Sequence, residues 1–197
     1  MTYSERINTD LEAKALEYIR TEIPRLERHL TGTRDFALEI NSLHKLGYED
    51  EKVVLAALCH DFARLVKPER IPEELKRRGI DPNIYKSATP ILLHGPLSAE
   101  LAKEVLGLTD GEILDAITWH ATGRGGMSIL EKLVYTADKV ETNRHYPGVE
   151  ALRDEVRRDF HDGFRIVLGT VLKYVIAQGW PIDYNSVAAW NEAILRH

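Results

Sequence analysis

Residues 55–64 read Leu55-Ala56-Ala57-Leu58-Cys59-His60-Asp61-Phe62-Ala63-Arg64, an apolar, helix-forming run that delivers a histidine and an aspartate side by side. On a helix, neighbouring residues lie about 100° apart around the axis. The imidazole and the carboxylate therefore converge on one point only where that helix edge faces a cavity. A buried carboxylate and imidazole need a partner, because an unpaired buried charge is very costly. A metal ion supplies that partner if further ligands arrive from elsewhere in the chain.

On both sides of this run the apolar residues recur with helical spacing, and no stretch alternates as a strand does. Thr9 and Asp10 precede a short amphipathic helix over about 9–20, with Leu11, Ala15, Leu16 and Ile19 on one face. Pro24 opens a second helix carrying His29, Leu30, Phe36 and Ile40, which runs out near Gly47. Glu49-Asp50 starts a third helix that continues through Val53, Ala57 and Leu58 to His60-Asp61. Residues 67–90 hold four prolines and read as the least regular part. Pro96 lies in the first turn of a helix ending at Gly107, and Asp110 caps another that ends with His120. Ser128 with Glu131 is a capping box that starts the helix of Asp138. A last long helix covers about 150–177, followed by a tail over about 180–197. The expectation is an all-α chain, one domain over 1–197.

With 197 residues, 44% hydrophobic and 29% charged, the chain has the composition of a globular protein able to bury a core. A net charge of −5 gives no basic footprint for nucleic acid. The polar N-terminus lacks a signal-peptide stretch, and the longest apolar run near the C-terminus is too short to span a bilayer. A single cysteine, Cys59, excludes an intrachain disulfide and suits a reducing cytoplasm. The expected partners include neither nucleic acid nor membrane. The apolar residues of the first and last helices leave room for a homodimer.

Four further residues are candidate ligands. His29 lies beside the apolar stripe of its helix, although Glu27 and Arg28 next to it equally suit a solvated histidine. His94 stands just before a helix start, and His120 shares a face with Ile113 and Ile117. Asp138 sits on the inward edge of a strongly apolar helix and needs a cation or several donors. A salt bridge with Arg144 would also serve, while Lys139 projects about 100° away from Asp138. Imidazoles with carboxylates suit iron, manganese, nickel or zinc, and the lack of cysteine ligands argues against a structural zinc.

The order His29, His60-Asp61, His94, His120, Asp138 resembles the HD-domain metal-dependent phosphohydrolases. The stretches RHLTGT (28–33), AALCHDFAR (56–64), LLHGPLSA (92–99), WHATGRGGM (119–127) and ADKVETNR (137–144), with the tail YNSVAAWN (184–191), resemble more narrowly the YqeK family of HD proteins. Those are symmetrical diadenosine-tetraphosphate hydrolases. Arg64 and Lys139 depart from the lysine and tyrosine usual there.

The resemblance implies an HD-domain helical bundle with a divalent metal pair in its core, most simply iron. His29, His60, Asp61 and Asp138 would hold one metal, and Asp61 would bridge to a second held by His94 and His120. Attack by a hydroxide activated at such a pair would release two ADP. Asp61 and Arg64 would serve catalysis. His29, Asp61, Arg124, Asp138, Arg144, Asn185 and Trp190 would meet the nucleotide. Arg124 stands in a glycine-rich loop before a helix N-terminus, a setting that suits an anion. The competing readings are an HD phosphohydrolase acting on a nucleoside monophosphate, a dNTP or an alarmone, and a non-catalytic nucleotide sensor.

Overall fold

The computed structural model describes residues 10–195; Thr9 lies outside them. Among the described residues the regular structure is helical throughout. The α-helices are α1 (Asp10–Glu22), α2 (Glu27–Leu43), α3 (Asp50–Cys59), α4 (Ile71–Arg77), α5 (His94–Leu106), α6 (Gly111–Trp119), α7 (Ile129–Val140), α8 (Val149–Arg158), α9 (Phe160–Ala177) and α10 (Tyr184–Leu195). The helix starts follow their caps. Asp110 accepts from the amides of Glu112 and Ile113, and Ser128 and Glu131 close a reciprocal capping box.

The centre of the fold is α3, apolar nearly all round, with Val53 to Cys59 all buried. It packs against α1, α2, α6 and α7. A helix buried on every side needs apolar residues on every side, which the run ValValLeuAlaAlaLeuCys provides. A smaller cluster of Ala63, Ile71, Leu75, Leu93 and Leu97 lies beyond its C-terminal end. No helix among the described residues is long and apolar enough to cross a membrane.

Four expectations change in detail. The helix of the His-Asp pair ends at Cys59, and His60 to Leu65 continue as tighter turns: Arg64 N donates to Asp61 O at 2.9 Å, and Ala63 N turns to Ser98 Oγ at 2.9 Å. Residues 67–90 contain α4 and short 3-10 turns at Pro68–Arg70 and Pro82–Tyr85, with another at Pro90–Leu93. The long helix over 150–177 is two helices, because Asp159 adopts an extended conformation and its side chain caps α9 through the Asp162 amide. The tail forms α10.

Candidate metal centre

Three of the histidines sit at element ends, and each is held in the same way. His60 and His120 follow the last residues of α3 and α6, and His94 opens α5. Each ring places Nδ1 against the carbonyl three residues earlier: Ala57 O at 2.7 Å, Ile91 O at 2.6 Å and Ile117 O at 2.7 Å. A carbonyl only accepts, so each Nδ1 carries a proton and each ring turns Nε2 inward. Ala57 and Ile117 lie in the last turns of α3 and α6, and the Ile91 carbonyl, in the 3-10 turn before α5, also accepts the His94 amide.

The inward nitrogens meet. His94 Nε2 and His120 Nε2 are 3.0 Å apart, and His29 Nε2 and His60 Nε2 are 3.3 Å apart. Asp61 stands between the two pairs and divides its oxygens between them. Oδ1 lies 3.1 and 3.3 Å from His94 and His120, and Oδ2 lies 3.8 and 3.7 Å from His29 and His60. Asp138 Oδ1 adds a ligand atom on the second side, 3.1 Å from His29 and 3.7 Å from His60. The six side chains expected from the sequence are therefore in one place. His29–His60–Asp61 and Asp61–His94–His120 are each compact enough to share an ion, as is His60–His120–Asp138.

This donor set fits cations. Asp61 Oδ1 is buried without a hydrogen-bond partner, an arrangement that is expensive unless a positive charge meets it. Burial pushes the His120 pKa down to about 4, so the His120 ring does not supply that charge near neutral pH. Nitrogen and carboxylate donors without sulfur match divalent first-row metals.

Close backbone approach brings the ligands together. A Cβ on Gly95 would lie 2.3 Å from Thr118 O, so only glycine lets the start of α5 touch the end of α6. A Cβ on Gly32 would lie 2.2 Å from Glu141 Oε2 and 2.6 Å from Asn143 Nδ2. The space a side chain would fill at Gly32 is taken by the side chains of Glu141 and Asn143.

Glu141 is the functional residue that sequence reasoning missed. It is buried, and its Oε1 lies 3.2 Å from His29 Nδ1. A carboxylate behind a ligand histidine fixes the tautomer and raises its basicity. Burial disfavours the charged ring of His29, but hydrogen bonds with Asp138 and Glu141 outweigh it and push the pKa up to about 9. The signal was present, since Glu141 follows Asp138 by three residues and so falls on the same helix edge.

The cations around the cluster differ in placement. Arg144 donates through Nε to Asp138 O at 2.9 Å and through a terminal nitrogen to Asp138 Oδ1 at 2.7 Å, and remains 41% exposed. Arg64 is at the rim, with Nε 3.9 Å from Asp61 Oδ2. Lys139 does not project away from Asp138. Its flexible stem bends back, and Nζ donates to Asp138 Oδ2 at 2.6 Å and to His120 O at 2.8 Å.

Three expected nucleotide contacts are engaged elsewhere. Arg124 pairs with Glu131 at 2.7 Å and Asp115 at 2.8 Å and lies over the Trp119 ring. Asn185 donates through Nδ2 to Tyr85 O at 2.7 Å, and Trp190 packs on Gly169 of α9.

The HD domain family model matches residues 26–143, a span that contains all six of these side chains. The chain belongs to the HD domain family. Proteins named symmetrical bis(5'-nucleosyl)-tetraphosphatase are similar to it along most of its length. The one from Halalkalibacterium halodurans is 29% identical, with 92% of this chain and 96% of that relative covered. The one from Bacillus subtilis is also 29% identical, with 83% and 86% covered. A solved structure from Clostridium acetobutylicum, described as a predicted HD superfamily hydrolase involved in NAD metabolism, superposes with a TM-score of 0.84. It is 32% identical and covers 94% of this chain and 97% of its own. The protein is an HD-domain hydrolase with a buried histidine–aspartate cluster able to hold divalent metal.

Proposed function

We propose that this HD hydrolase cleaves diadenosine tetraphosphate symmetrically, adding one water across the central P–O–P bridge to release two ADP. The observation that carries the proposal is the division of Asp61 between two histidine pairs, read beside relatives that carry the name of this activity. His29, His60, Asp61 and Asp138 would hold one metal, and Asp61, His94 and His120 the other, with iron as the first expectation. Such a pair supplies a nucleophile near neutral pH and neutralises charge on both the attacked and the departing oxygens.

The chain's own residues do the rest. Asp61 keeps both halves of the cluster in a single register. Glu141 and Asp138 hold the His29 ring from opposite nitrogens. Arg144 and Arg64, partly exposed at the rim, meet the polyphosphate and orient it, and a planar guanidinium suits two phosphate oxygens at once.

The test is chromatography of the products formed by iron- or manganese-loaded protein. ADP as the sole product supports symmetrical cleavage. ATP with AMP would overturn the point of attack. No product, with metal bound, would turn the search to nucleoside monophosphates, dNTPs, alarmones and NAD, and then to a nucleotide sensor.

A further inference from the structure

The turn that opens α10 reaches two separate parts of the fold. Asp183 is buried, and its Oδ2 accepts from Ala88 N at 2.8 Å while Oδ1 accepts from Asn185 N at 2.8 Å and Asn185 Nδ2 at 3.0 Å. Asn185 Nδ2 also donates to Tyr85 O at 2.7 Å. Ser186 Oγ donates to Thr122 O at 2.8 Å. Ala189, one turn on, approaches Gly123 so closely that a Cβ there would lie 3.1 Å away.

Both anchored segments run directly into ligand histidines of the same half of the cluster. From Ala88 the chain enters the 3-10 turn Pro90–Leu93, whose Ile91 carbonyl fixes Nδ1 of His94. Thr122 lies two residues beyond His120. The other half is supported from a different quarter, by Glu141 behind His29 and Arg144 on Asp138.

We propose that residues 183–186 form a strap that positions His94 and His120 for the second metal. Asp183 and Asn185 are then positioning residues for that metal, and their polar groups are not nucleotide contacts. The physical reason is geometric. The two Nε2 atoms stand 3.0 Å apart on segments 26 residues apart in sequence, and each ring takes its orientation from local backbone. A brace across the two segments keeps those backbones in register. Outer partners of metal ligands are typically worth 10–100-fold in metal affinity.

The inference rests on the two-metal reading of the cluster, and metal titration separates the two. Wild-type protein, stripped and titrated calorimetrically with Mn2+, should take up two ions. Asn185→Ala and Ser186→Ala should keep one ion at wild-type affinity and weaken the other about tenfold or more; the second variant guards against a folding defect in the first. Adding Asn185→Ala to His94→Ala should cost no further metal affinity, whereas adding it to His29→Ala should weaken the remaining ion about tenfold or more. Leu195→Ala, an exposed position on the same helix, is the control. Two ions at unchanged affinity in the strap variants would overturn the strap while the metal pair stands, the more so if only KM rises. Fewer than two ions in wild type would overturn the two-metal reading and the strap together.

Discussion

Glu141 lies behind His29, its Oε1 3.2 Å from Nδ1, while the opposite ring nitrogen lies 3.1 Å from Asp138. The ring is thus aimed by a side chain, whereas the other three histidines are aimed by carbonyls. Replacing Glu141 with alanine should weaken one metal by about 10–100-fold, with glutamine intermediate. Calorimetric titration of the variants checks this, and an unchanged affinity would remove Glu141 from the site.

Asp61 and Asp138 should not be equivalent. Asp61 faces both histidine pairs, so Asp61→Ala should lose both metals and all turnover. Asp138 Oδ1 lies nearest His29 and His60, so Asp138→Ala should chiefly weaken that ion and keep the ion of His94 and His120. Metal content by elemental analysis distinguishes the two. Equal losses would show that the pair is a single cooperative site.

The proton on His29 competes with metal. Its pKa is raised from an ordinary 6.5 to about 9 by Asp138 and Glu141 against the opposing effect of burial. A raised folded-state pKa contributes stability that is complete below about pH 6.5 and lost as pH rises through about 9. The metal-free protein should therefore lose stability across that window relative to a His29→Gln variant, while Mn2+ affinity rises as the proton leaves. Denaturant melts in chelator at pH 6 and 9.5 test the sign. A wild-type to variant difference that is constant with pH would refute it.

Gly95→Ala should be the costlier of the two glycine replacements. The new Cβ meets the Thr118 carbonyl, which is backbone and cannot step aside. Overpacking of this kind costs about 1–3 kcal/mol, and here it also parts His94 from His120. At Gly32 the obstacle is the far end of Glu141, which can rotate, so Gly32→Ala should cost less stability but disturb His29. Melting and metal titration on both variants separate these effects.

Arg153 is buried and donates to Val140 O at 2.7 Å, Glu141 O at 2.6 Å and Arg144 O at 2.8 Å, and it also pairs with Glu150. It closes the turn that carries Glu141 and Arg144. Arg153→Met takes this donor from the carbonyls of Val140 and Arg144, at about 1–3 kcal/mol for a buried group left unpaired, while Glu141 O keeps the Arg144 amide at 2.9 Å, so the variant should melt below wild type. Arg153→Lys should recover part of the loss. Equal melting of all three proteins would deny the turn its dependence on Arg153.

The six clustered side chains were legible because each stood at a helix end or on an apolar face, where an unpartnered polar group is conspicuous. Glu141 was missed because its role depends on a ring nitrogen from α2, and no local pattern predicts which helices meet. Arg124 has partners that the sequence equally did not show. Its glycine-rich loop suggested an anion site, but Asp115 and Glu131 lie within reach only after α6 and α7 fold together. The break at Asp159 was invisible to periodicity, since α8 and α9 each keep helical spacing and only the cap at Asp159 separates them. Lys139 was misread from its backbone direction alone, because a long stem carries its ammonium well away from its Cβ vector.

Three of the four histidines owe the orientation of their rings to main-chain oxygens at Ala57, Ile91 and Ile117. Side-chain substitutions at those three positions leave the carbonyls where they are, so the donor directions are insulated from much of ordinary sequence drift. Selection for a different metal preference would have to work through insertions, prolines or glycines that move the main chain, or through the one ring held by a side chain. His29, through Glu141, is the adjustable corner of an otherwise fixed frame.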